Sequence, residues 1–121
     1  MNEEARRDMR QYLDDRLNAC KEQEKALMQD QRSDEATLSR IEGNIYEVFR
    51  TVWDVACKQQ EDAAALSFFR SRLTQIPQNW QKARDAALVH GDTEKAHIES
   101  VKLTAAQWIS DALAEIWGDA K

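Results

Sequence analysis

Leu38-Ser39-Arg40-Ile41-Glu42-Gly43-Asn44-Ile45-Tyr46-Glu47-Val48-Phe49-Arg50-Thr51-Val52-Trp53-Asp54-Val55 is the stretch that decides the fold class. Leu38, Ile41, Ile45, Val48, Val52 and Val55 recur in alternating steps of three and four, which aligns them along one side of an α-helix. The rhythm returns in Leu66, Phe69, Leu73, Ile76, Trp80, Ala83 and Ala87, and again in Ile98, Val101, Ala105, Trp108 and Ala112. Stripes of this kind suit helices packed lengthwise on one another.

Outward from that stretch, the composition agrees. The chain has 121 residues, 3 glycines, 1 proline and 32% charged residues, and the charges are interleaved with the apolar positions. This is a helical composition of single-domain size, so residues 1–121 are expected to form one helical-bundle domain. The punctuation predicts helices near 3–30, 34–60, 63–90 and 93–117. Met9, Tyr12, Leu13, Leu17, Cys20, Leu27 and Met28 form the first and weakest stripe, interrupted by Gln23 and Glu24. Ser33 or Asp34 is placed to cap the second helix, Asp62 the third, and Asp92 or Thr93 the fourth, with Gly91 as the stop before it. The five polar residues 58–62 interrupt the stripe and mark a break. Pro77 removes one helical hydrogen bond and disfavours helical angles at Ile76, so a kink or break is expected there. Gly43 inside the second helix reads as a close approach between helices. The resulting expectation is all-α: an up-and-down four-helix bundle with a kink or break at Pro77.

The formal net charge of −5 argues against general binding to nucleic acid or to an anionic membrane surface. No apolar run near the start resembles a secretory signal, and none is long enough to span a bilayer. A hairpin turning near Ser33 would place residue 20 level with residue 46 and leave Cys57 several turns away, so two unpaired thiols are expected, as in a reducing cytoplasm.

Chemistry-bearing patterns are sparse. Glu94-Lys95-Ala96-His97 puts a carboxylate and an imidazole on one helical face, and His90 and Asp92 lie just before it. His90, Asp92, Glu94 and His97 are therefore the candidate metal ligands, of a type that zinc accepts. A di-iron site would need a second Glu-x-x-His pair, and the sequence has none. The three glycines stand too far apart for a phosphate-binding loop, and no local signature marks a nucleophile. Between Ala63 and Gly91, the bases Arg70, Arg72, Lys82 and Arg84 face the single acid Asp85. With Phe68 as a stacking ring, those four cations make a candidate nucleic-acid stripe, set against an acidic chain.

Apolar side chains exceed what a single seam needs. Tyr46, Phe49 and Trp53 flank the stripe of the second helix, and Ile109, Leu113 and Trp117 flank that of the last. Those six are the expected interface. The functional expectation is a non-catalytic cytoplasmic protein without a cofactor, acting on a protein partner or by homodimerisation as a regulator, adaptor or inhibitor. The alternatives are a small metal-binding protein or metal-dependent enzyme built on the His90/His97 region, and nucleic-acid binding through the basic third helix.

Overall fold

The computed structural model describes residues 2–118; residues 1 and 119–121, part of the expected single domain, lie outside them. The described residues form five helices and no strand: α1 (Glu3–Gln29), α2 (Ser33–Ala56), α3 (Asp62–Gln75), α4 (Pro77–Val89) and α5 (Thr93–Trp117). α1 lies along α2, and α4 along α5. α5 also packs on α2 and α1, and α3 reaches α2, which gives a helical bundle.

The two tight hairpins use one device. In each, a residue with left-handed backbone follows the helix, and the next N–H returns to a carbonyl five residues back. Arg32 N–H donates to Leu27 O at 2.8 Å across Gln31 (φ 59°), and Asp92 N–H to Ala87 O at 2.8 Å across Gly91 (φ 74°). Asp92 then caps α5, accepting from Lys95 N–H. Ser33 is the first residue of α2 and not its cap; Arg32 occupies the cap position, and its side chain caps no backbone N–H.

α2 ends four residues earlier than the periodicity suggests, because a side chain from α1 organises the joint that follows. Arg6 is 7% exposed, and its guanidinium donates to Cys57 O at 3.1 Å, Gln60 O at 3.2 Å and Asp62 Oδ1 at 3.0 Å. Asn2 N–H holds Asp62 Oδ2 at 2.7 Å. Asp62 is thus committed to α1, and it opens α3 without capping it. Trp53 Nε1 donates to Arg6 O at 3.2 Å, tying the latch to the core below it.

Pro77 has a milder effect than its chemistry suggests. Ile76 separates α3 from α4, yet its backbone stays helical (φ −61°, ψ −45°) and its N–H still donates to Arg72 O at 3.0 Å. The expected departure of Ile76 from helical angles does not occur. Proline at the first position of α4 needs no N–H there, and Leu73, Ile76 and Trp80 stay packed against the core on both sides of it.

The core face of α2 differs from the stripe counted first. Ala36, Ser39, Gly43, Ile45, Tyr46, Phe49, Trp53 and Ala56 are buried, whereas Val48 and Val55 are each 41% exposed. Near the turn the face is small, and it closes on α1. A β-carbon on Gly43 would lie 3.2 Å from Cys20 Cβ, which confirms the close approach read from the sequence. Towards the other end the face is aromatic. Phe69 meets Trp53 edge-on at 5.0 Å and Phe49 at 6.1 Å, and Trp117 meets Trp53 at 6.5 Å. Rings of this size dominate burial energetics, so they take the interior and rotate the valines outward.

Candidate functional site

The same rotation on α5 creates the most distinctive surface feature. Ala105, Ala106, Ile109 and Leu113 take the core, and Trp108, counted among the core stripe from the sequence, is left 45% exposed. Its ring is not loose. The Arg16 guanidinium of α1 lies 5.6 Å from the Trp108 ring centroid and 5.3 Å from that of Tyr46 on α2, so one cation is shared between two rings. Arg16 donates to Glu42 Oε2 at 2.9 Å and to the Tyr46 hydroxyl at 3.4 Å. Tyr46 in turn donates to Glu42 Oε2 at 3.3 Å, and its ring packs edge-on against Tyr12 at 6.4 Å.

Electrostatics reinforce this arrangement. Burial works against the Arg16 charge, but hydrogen bonds and attraction to Tyr46 and Glu42 outweigh it and raise the guanidinium above its ordinary range. Burial pushes the Tyr46 and Tyr12 hydroxyls upward, so both phenols stay protonated at neutral pH. Burial, with Glu42 nearby, also pushes the Cys20 thiol to about 11. The Arg16 guanidinium under Trp108 therefore stays charged at neutral pH, beside neutral phenols.

Beside Trp108, a shallow cleft of about 180 Å³ is lined by Val101, Thr104, Ser100, His97 and Glu42. That is below the volume of ordinary small-ligand pockets but has room for a single side chain. Arrangements of this kind, an ordered aromatic beside a small cleft, are typical anchors of protein–protein contacts.

The residues singled out from the sequence fall elsewhere. Tyr46, Phe49, Trp53, Ile109 and Leu113 are buried inside the chain, and Trp117 is half-buried against Trp53. They are core, not an interface, because α1 and α3 cover what a narrow seam would have left open. His90, Asp92, Glu94 and His97 are exposed on the α4–α5 turn and the first turn of α5. Asp92 is occupied as a cap, and among the described residues no group of three or more His, Cys, Asp or Glu is placed to hold a metal ion. The four cations also separate. Arg72 lies over the Phe68 ring at 4.6 Å and donates to Gln75, which engages the ring meant for stacking. Lys82 is exposed, while Arg70 and Arg84 line one cleft against α5. Positions 70 and 84 share a helical face, but 72 and 82 point away from it. Cys20 and Cys57 are free.

No protein-family model matches the chain, and comparison with curated proteins and with solved structures finds no match. No helix among the described residues is long and apolar enough to cross a membrane.

Proposed function

We propose that the chain is a non-catalytic cytoplasmic protein that acts by binding another protein, and that Trp108 on α5 is the anchor of that contact. One observation carries the reading: a tryptophan 45% exposed yet stacked on the half-buried, carboxylate-paired Arg16, next to a cleft of side-chain size. An exposed aromatic that is already ordered loses little conformational entropy on binding, which is what distinguishes an anchor from an incidental surface residue. Two free thiols suit a reducing compartment. The scaffold belongs to the same proposal: an up-and-down four-helix bundle in which α3 and α4 act as one strut bent at Pro77, leaving the Trp108 side uncovered.

The test pairs Trp108→Ala with Thr104→Arg, a substitution at an exposed position on the cleft wall. Both variants should keep the wild-type helical circular dichroism. Sedimentation velocity reads association with a second copy, and co-isolation from the native host reads association with a different protein. Loss of association in both variants supports the assignment. Association that survives both would contradict it.

A further inference from the structure

A cleft lies between α3–α4 and α5, and its chemistry runs against that of the chain. Its volume is about 610 Å³, within the range of small-molecule sites. The chain carries a net charge of −5, yet none of the cleft's lining residues is acidic, and two are arginines, Arg70 and Arg84. Thr74 and Ser110 add hydroxyls over a lining of leucines, Pro77 and alanines, while Gln81 and Gln107 donate their side-chain N–H groups to Asp85 and Asp111 outside the lining.

The arginines are available. Arg84 Nε is buried and has no hydrogen-bond partner among the described residues; the nearest carboxylate, Asp85 Oδ1, stands off at 3.8 Å. Arg70, like Arg7 and Arg40, forms no side-chain hydrogen bond or ion pair among the described residues, whereas Arg6, Arg10, Arg16, Arg32 and Arg50 all hold carboxylates. A buried guanidinium N–H without an acceptor is a costly arrangement that an anion would relieve. The two arginines enter the cleft from different helices, Arg70 from α3 and Arg84 from α4. No aromatic ring lines it, which removes the stacking surface that a nucleobase would use.

We infer that this cleft binds a small organic anion bearing carboxylate or phosphate groups, with Arg84 holding an acidic group and Arg70 adding a second cation to the same cleft. The site is on the opposite flank of α5 from Trp108, and it stands whether or not the Trp108 assignment does.

The experiment is a ¹H–¹⁵N NMR titration of the full chain, including the arginine Nε–Hε region, with inorganic phosphate, with citrate and with an oligoglutamate peptide, each matched for ionic strength by chloride. Saturable shifts at Arg84 Nε–Hε and at the amides of Thr74, Gln81 and Gln107 with phosphate or citrate are expected; the stronger of the two identifies the acidic group. Arg84→Gln and Arg70→Gln should each weaken binding by about tenfold, as the loss of a charge-assisted hydrogen bond implies. Lys82→Gln, on the same helix but outside the cleft, should leave it unchanged. The inference is overturned if no probe shifts these resonances, if only the oligoglutamate does, or if Lys82→Gln weakens binding as much as Arg84→Gln.

Discussion

Replacing Arg6 by Met removes the latch between α1 and the α2–α3 joint while keeping most of the stem volume. Its magnitude can be worked from the contacts. Arg6 is 7% exposed and donates to two backbone carbonyls, Cys57 O and Gln60 O, and to Asp62. Hydrogen bonds from a charged donor contribute about 1.5–3 kcal/mol each when fully buried. Here the acceptors sit at a loop where water can replace part of that, and the pairing with Asp62 adds little so near solvent. About 2–3 kcal/mol in total is expected. For a chain of 121 residues, an unfolding entropy of roughly 2.1 cal/mol/K per residue makes 1 kcal/mol worth about 4 °C, so the melting temperature should fall by roughly 8–12 °C. Arg6→Lys should recover little, because a single ammonium cannot reach three diverging acceptors. Thermal denaturation followed by circular dichroism measures the fall, and amide exchange at residues 57–62 should accelerate ahead of the rest. A fall under about 3 °C, or unchanged exchange in that joint, would show that the joint is held by the aromatic core alone.

Three further outcomes follow from particular positions. Gly43→Ala should not deliver the roughly 1 kcal/mol that alanine brings to a helix interior, because its β-carbon meets Cys20 Cβ at 3.2 Å, and Gly43→Leu should cost about 1–3 kcal/mol or more in urea denaturation; a stabilised Ala variant would refute the close approach. Gln31, at φ 59° in the first hairpin, should gain about 0.5–1 kcal/mol on replacement by Gly, with no gain if the turn adopts another geometry in solution. At pH 8, iodoacetamide should modify half-buried Cys57 and leave Cys20, 2% exposed with its thiol pushed to about 11, until the chain unfolds; equal rates at the two thiols would contradict the α1–α2 packing.

Helix positions were legible because apolar period and turn chemistry act locally. Gly91 and Asp92 mark their hairpin directly, and the break after α2 shows as five polar residues. Which side of α2 and α5 faces inward was not legible. Ile45-Val48-Val52 and Tyr46-Phe49-Trp53 are two apolar lines one position apart, and only the helices packed against them decide between the two. That ambiguity placed Trp53 and Ile109 at an interface and Trp108 in the core, whereas Trp53 and Ile109 are buried and Trp108 is exposed. The Arg6 latch joins residues more than fifty positions apart, so in the sequence it looks like any surface charge. The basic bias of residues 63–91 was visible, but not that helical phase would direct Arg70 and Arg84 into one cleft and turn Arg72 and Lys82 out of it.

Hydroxyl-radical footprinting of Trp108 tests the proposed role most directly, by comparing the purified chain with the chain in a native extract. Met28, 55% exposed at the α1–α2 hairpin, serves as the internal reference in the same digest. If α5 anchors a protein contact at Trp108, its oxidation relative to Met28 should fall several-fold in the extract, and adding an excess of the Trp108→Ala chain should not restore it. Equal oxidation of Trp108 in the two settings would contradict the assignment of this face as the binding surface.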